Sequence, residues 1–347
     1  MPWALILALI MLLGVDVALR FVPAGKLIAY ERGVPGRYAV REHLRAFGSP
    51  EVLFVGSSRV HVGVVVPVVK ESLEAELGRS VHASNFANGG VLLPEIGPML
   101  EQMLRKKPLP KVLVIGMDPE QIARDEMFND RTPIFWTFAD WNAARQRFGN
   151  KVIPLLPETF RTWLSGVSVT FRSRLRPVHL IKELGRGREG TAITGEYVSP
   201  EHTKNKAKSL ADKPADELNV EEHVKKVHLK PDGTYPFNAA KVAWWQDLAT
   251  RCEQAGVEVV FAEFPNAEVF EKFLPPTTLP EFRSTMRSVA AASGAEFYSN
   301  DDLGMVYADA DFGDPVHLNL AGGTRLSRAL AQGPVLAAIR RAEQRGK

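Results

Sequence analysis

The sequence predicts an α/β protein: a three-layer α/β/α sandwich around a parallel sheet of about five strands, preceded by an N-terminal transmembrane helix. Three observations lead there. Short runs rich in Val, Leu, Ile and Phe alternate with helix-like segments, which is the pattern of parallel strands joined by helical crossovers. The first run leads into Gly56-Ser57-Ser58, the second into Asn88-Gly89-Gly90 and the third into Asp118-Pro119, residues that let a strand turn sharply into the next segment. The N-terminus carries a long stretch without charge.

Taken in order, Pro2 to Val15 contains no charged residue, and apolar character resumes after Asp16 as far as Leu19. That gives about 18 residues, just enough for a helix to cross a bilayer. Residues 1–20 therefore read as a membrane anchor or signal segment, and the missing basic n-region and small-x-small cleavage site favour a retained anchor. A juxtamembrane region, 21–47, comes next. Arg20, Lys26, Arg32, Arg37 and Arg41 lie just after the apolar segment, which taken literally holds the rest of the chain in the cytoplasm. Long domains translocate largely regardless of such charges, so the expected location is the extracytoplasmic side, periplasmic or at the cell surface.

The α/β domain spans 48–331. Glu51 to Gly56 is a buried strand ended by glycine, and Val81 to Phe86 and Lys111 to Met117 supply the second and third strands. Between them lie a helix with Pro67 in or before its first turn and another over Leu93–Arg105. Alternation then stops, and about 119–236 reads as an insertion. Its first half is aromatic, with Phe135, Trp136, Trp141, Phe160, Trp163 and Phe171; its second, from Gly185 to Lys230, is charged and reads as an extended or disordered loop. Alternation returns with a helix over Asn238–Ala255, a strand at Val257–Phe264, a helix near Glu281–Ala292 and a strand at Ala295–Ser299. A last helix starts near Leu320, and 332–347 form a C-terminal helix or tail.

Composition narrows the function classes. With 347 residues, 45% of them hydrophobic, the chain can bury a substantial core. Its 43 basic and 40 acidic side chains leave a net charge of +3, too small a field to point to nucleic acid. Cys252 is the only cysteine, which excludes an intrachain disulfide and argues against a cysteine-based zinc site. No metal-ligand spacing and no Walker-type phosphate loop occurs, so neither metal nor cofactor is expected.

Open parallel sheets bind ligands beyond the carboxyl ends of their strands, so the residues after each strand are the informative ones. Gly56-Ser57-Ser58-Arg59 comes after the first strand, and a serine there can be a nucleophile at a helix N-terminus or simply its cap. Asp314-Pro315-Val316-His317 places a carboxylate and an imidazole three residues apart on a turn, where they can face each other and one serine. Asn85, Asn88, Gly89 and Gly90 come after the second strand, and Gly116-Met117-Asp118 after the third. His61 lies close to Ser58, and Arg59 can either bind an anionic substrate or pack over Asp118. His43, His82 and His179 read as surface or helix-face residues, and His202, His223 and His228 lie in the polar insertion.

In this order the blocks resemble those of the SGNH/GDSL hydrolase superfamily, whose sheet is flavodoxin-like. The GSSR block behind an apolar N-terminus is similar to its cell-envelope branch, which includes alginate O-acetyltransferase-like proteins and the D-alanyl transferases of teichoic acid. The resemblance implies Ser58 as nucleophile, His317 as base and Asp314 as its orienting carboxylate. It places the oxyanion hole at the amides of Ser58 and Gly89 or Gly90; from their places near Ser58 and the strand ends, Asn88 is expected as a further donor there and Arg59, His61, Asn85 and Asp118 beside the substrate. The implied activity is that of a membrane-anchored serine esterase or O-acyltransferase acting on acyl esters of a cell-surface glycan. Ser57 stands where the first block usually has Asp, as in other envelope members. Asp118 stands where the third block supplies an Asn donor, and an ionised carboxylate there repels an oxyanion. That departure keeps open an alternative: an inactive scaffold that binds a glycan or an envelope-complex partner through 119–236.

Overall fold

The computed structural model describes residues 2–20, 48–87, 96–97, 100, 104, 108–123, 138–167, 209–212 and 219–345. The chain divides into two compact units, one of residues 49–127 and 195–347 and the other of 1–48 and 128–194.

The first of these is the α/β domain. Strand β1 (Val52–Val55) is followed by α1 (Ser58–Gly63) and α2 (Val66–Leu77), the latter with Pro67 in its first turn, where the missing N–H costs nothing. Then come β2 (Ala83–Asn85), β3 (Val112–Met117) and the short α3 (Pro119–Ile122). After the insertion the chain forms α4 (Val220–Val227), α5 (Ala239–Gln254), β4 (Glu258–Glu263), α6 (Glu268–Glu271), α7 (Thr278–Ser293) and β5 (Glu296–Tyr298). A hairpin, β6 (Phe312–Asp314) and β7 (His317–Leu318), leads into α8 (Leu320–Leu330), a π-helical turn and α9 (Leu336–Arg345).

The five strands β1–β5 are parallel in the order β2-β1-β3-β4-β5, with helices on both faces. The chain leaves β1 toward one edge and returns to β3 on its other side, so the topological switch point lies between β1 and β3. Alternate residues divide between the faces. Val52, Phe54, Val112, Val114, Val260 and Ala262 share one core cluster with Val69 and Leu73 of α2, Leu326 and Leu330 of α8, and Ile339 of α9. Opposite, Trp245 of α5 meets Phe261 edge-to-face at 6.2 Å and Phe282 of α7 meets Phe297 at 6.0 Å. Cys252 is buried on α5, and burial pushes its thiol up to about 12, so it packs and does not react.

Strand boundaries fall within one or two residues of those expected. The Leu93–Arg105 helix lies largely outside the described residues. Residues beyond 331 belong to the core, since Leu336, Ala338 and Ile339 are all buried. One expectation needs correction: the charged stretch to Lys230 carries α4, whose Val220 and Val224 are buried with Phe270 and Leu274. Two valines four residues apart make a narrow apolar stripe that only a partner surface stabilises. The insertion's ends meet where Ala123 bridges Phe237.

Two glycines let α1 lie against the sheet. A Cβ on Gly56, at φ +153°, falls 2.4 Å from Val60 Cγ2, and one on Gly116 falls 2.0 Å from the same methyl and 2.8 Å from Phe264. Both neighbours are almost fully buried and Val60 is stiff at χ1, so neither can yield. Gly116→Ala is expected to lower stability by about 1–3 kcal/mol, the usual cost of overpacking, and denaturant midpoints at constant m-value check it.

In the second unit, Pro2–Arg20 is one 19-residue helix that exposes Trp3, Leu7, Ile10, Met11 and Leu13. Among the described residues no helix is long and apolar enough to cross a membrane, so the apolar helix is present but the span expected of it is unsupported. In the aromatic half of the insertion residues 138–167 are folded, while Phe135, Trp136 and Phe171 lie outside the described residues. Helices Phe138–Phe148 and Leu156–Val167 flank a 3₁₀ segment, and Trp141 Nε1 donates to the Val152 carbonyl at 3.0 Å. Phe138, Phe160 and Trp163 cluster with ring centroids 5.6–6.5 Å apart, yet stay 39%, 50% and 38% exposed.

Candidate active site

The carboxyl end of β1, at the switch point, turns through Gly56 into α1. Ser57 caps that helix, its Oγ accepting from the Arg59 amide at 3.4 Å, and is buried. Capping therefore falls to Ser57, and Ser58, half-buried, begins the helix. As a first-turn residue its amide has no acceptor within the helix.

The hairpin supplies the partners. In the antiparallel β6–β7 pair Asp314 lies directly opposite His317 across the two-residue turn Pro315-Val316. Asp314 Oδ1 accepts from the amides of Val316 and His317, each at 3.0 Å, which locks the carboxylate toward the ring. His317 Nδ1 is 2.9 Å from Oδ1 and 2.8 Å from Oδ2 of Asp314, and its Nε2 is 2.8 Å from Ser58 Oγ. With a carboxylate beside Nδ1 that nitrogen carries the proton, leaving Nε2 to accept from the Ser58 hydroxyl. Burial pushes the Asp314 pKa upward, but the His317 ring and the two amides outweigh it and hold it below the ordinary carboxylate range. Asn319 secures the hairpin from behind: its Nδ2 donates to the Ala310 carbonyl at 2.7 Å while Oδ1 caps α8.

The remaining site residues divide. Asn88, Gly89 and Gly90 lie outside the described residues. Asn85 is committed to the backbone, donating to the Val60 carbonyl and accepting from the Ala87 amide, both at 3.0 Å. His61 Nδ1 lies 2.9 Å from the Ala87 carbonyl, so both residues tie α1 to the segment after β2. Both were expected beside the substrate, and these contacts anchor them at that edge of the site. Arg59 and Asp118 are buried against one another, Nε to Oδ2 3.3 Å, which settles Arg59 as packing over Asp118 and not as an exposed anion site. Asp118 also caps α3, accepting from the Glu120 amide at 2.8 Å. Burial pushes its pKa up while Arg59 pulls it down. Of the other histidines, His223, His228 and Phe270 pack edge-on, with His228 buried; His43, His179 and His202 lie outside the described residues.

Asn266 had no signal in the sequence beyond its place, two residues after Phe264 at the end of β4, where the same strand-end rule points. It is buried and its Oδ1 accepts from Arg59 Nη1. Nearby, burial and then Glu263 push the Glu271 carboxyl up to about 7, although Asn266 hydrogen-bonds it. Unfolded, this group ionises near 4.5, so between those values the folded state holds a proton the unfolded state has lost, and stability falls as pH rises. Glu271→Gln is expected to flatten that slope and raise stability at pH 8 by roughly 1–3 kcal/mol relative to pH 4.5, read from urea denaturation at both pH values.

The sequence matches no family model and no curated protein. The described residues contain no group of three or more His, Cys, Asp and Glu side chains able to hold a metal ion.

Proposed function

We propose that the chain is a membrane-associated serine esterase or O-acyltransferase that acts on acyl esters of a cell-surface glycan, a cell-envelope relative of the SGNH/GDSL hydrolases. The observation that carries this is the unbroken relay from Ser58 Oγ through His317 to Asp314, with every link at 2.8–2.9 Å. A serine near its normal pKa is a poor nucleophile, and a base at that distance corrects this.

Ser58 Oγ attacks the acyl carbonyl carbon as its proton passes to His317 Nε2. The bond to the alcohol oxygen then breaks, that oxygen takes the proton from His317, and an acyl ester of Ser58 remains. Water or a sugar hydroxyl next gives its proton to Nε2, attacks the acyl carbon and frees Ser58. Esterase and transferase share these steps and differ in whether the acceptor displaces water. The exposed Phe138, Phe160 and Trp163 support glycan binding by their own unit, since aromatic faces stack on apolar sugar faces. The apolar helix Pro2–Arg20 supports attachment at a membrane, with the catalytic domain on its extracytoplasmic side.

A second reading is favoured by Asp118 in place of an Asn donor: an inactive scaffold whose aromatic surface binds a glycan or an envelope-complex partner. A fluorophosphonate probe and a 4-nitrophenyl acyl ester separate the two. The enzyme is labelled at Ser58 and releases 4-nitrophenol, and the Ser58→Ala variant does neither. A folded wild-type chain that does neither leaves only the scaffold.

A further inference from the structure

We infer that Arg59, together with Asp118 and Asn266, is a positioning assembly for Ser58: one buried guanidinium ties the nucleophile turn to the ends of β3 and β4 and, through them, to the hairpin that carries the base. This rests on the reading of Ser58 as nucleophile.

Arg59 is the residue next to Ser58 and is 6% exposed, with Asp118 at 1% and Asn266 at 5%. Its three nitrogens are divided among three residues from two strand ends: Nε to Asp118 Oδ2 at 3.3 Å, Nη2 to Glu120 Oε2 at 3.8 Å, and Nη1 to Asn266 Oδ1. A planar guanidinium holding donors in fixed directions fixes orientation as well as distance, which an ammonium does not. From Asn266 the connection continues along the chain. The next residue, Ala267, donates its amide to the Pro315 carbonyl at 3.0 Å, and Pro315 sits between Asp314 and Val316 in the hairpin turn. A second path therefore runs from Ser58 to the His317 hairpin without passing through the reacting atoms. Ser58 and His317 are 259 residues apart in the chain, and their 2.8 Å hydrogen bond requires the β1 turn and the hairpin to keep register.

The same contacts account for the acidic residue where an Asn donor was expected. The Asp118 carboxylate is committed to Arg59 and to the Glu120 amide, so it serves the nucleophile turn and not the oxyanion. The hydrogen bonds and ion pairs of the three side chains run to one another, to Glu120 and to Glu271, and not to Ser58 Oγ or the His317 ring.

The test uses the full chain, its turnover of a 4-nitrophenyl acyl ester and its rate of fluorophosphonate labelling. Arg59→Lys and Asn266→Ala are expected to lower kcat and the labelling rate by about 10-fold to 10²-fold with KM within about twofold, the usual consequence of a misplaced reacting group. Because a lone buried charge can prevent folding, Arg59→Met/Asp118→Leu is included; replacing a buried ion pair with apolar residues commonly keeps a protein folded. It is expected to melt near the wild-type temperature and still show the reduced kcat. If that double variant, or Asn266→Ala, labels and turns over at the wild-type rate, the three residues are packing alone and the inference is overturned. Wild-type protein that fails to label overturns the nucleophile reading itself, a result the variants' ratios do not mimic.

Discussion

Ser58→Ala and His317→Ala are each expected to lower kcat/KM for a short acyl ester by about 10⁴-fold or more, and the double variant by scarcely more than either alone. Serine without its base is not activated, and the base without serine has no proton to take, so the two act as one unit and their effects do not add. Stability should hardly move in Ser58→Ala, whose side chain is only partly buried, whereas His317→Ala should lower it by about 1–3 kcal/mol because it removes the ring that offsets the burial of the Asp314 carboxylate. Matched melting curves and steady-state kinetics on the three variants check both halves. Additive losses would mean that Ser58 and His317 work separately, contrary to their 2.8 Å contact.

The second large effect belongs to Asp314→Asn. Oδ1 of Asp314 accepts two backbone amides, so an asparagine oxygen is held at that position and its NH₂ falls at the Oδ2 position, 2.8 Å from His317 Nδ1. The asparagine oxygen, 2.9 Å from Nδ1, is a weaker acceptor than the carboxylate, and the new donor at 2.8 Å favours the tautomer with its proton on Nε2, which cannot take the Ser58 proton. The expected loss in kcat is about 10²-fold to 10⁴-fold with the fold intact. Imidazole ¹⁵N shifts give an independent reading: the proton sits on Nδ1 in the wild type and on Nε2 in the variant. The wild-type carboxylate, held below its ordinary range, stays ionised at neutral pH. Its contribution to stability is present above the unfolded value of about 3.8 and is lost as pH falls through the lower folded value.

Much of this architecture is legible along the chain. The stretches Val52–Val55, Val112–Met117 and Val259–Ala262 carry no charged side chain because strands buried on both faces have no polar side, and they lie in β1, β3 and β4. Ser58, Asp314 and His317 were found by their places after strand ends, a property of topology that strand order carries into the sequence. What was not legible has one feature in common: it depends on residues brought together across long separations. Arg59 and Asn266 are 207 residues apart, and nothing near either one signals the other. Gly56 at its turn and Gly116 inside β3 give no sign of their role until Val60 is seen against both. Val220 and Val224 make too small an apolar stripe to announce a helix, and Phe270 and Leu274 supply the surface that completes it.

The alternation of apolar runs and helical segments, the serine after the first strand and the Asp-x-x-His turn are local features, and local periodicity and turn chemistry were enough to specify them. Which serine caps and which faces the base, which way Asp118 turns, and what Arg59 binds were decided only by the tertiary fold. Each is a choice between two locally satisfactory arrangements, and a burial partner or a hydrogen bond from a distant strand end supplies the energy that selects one.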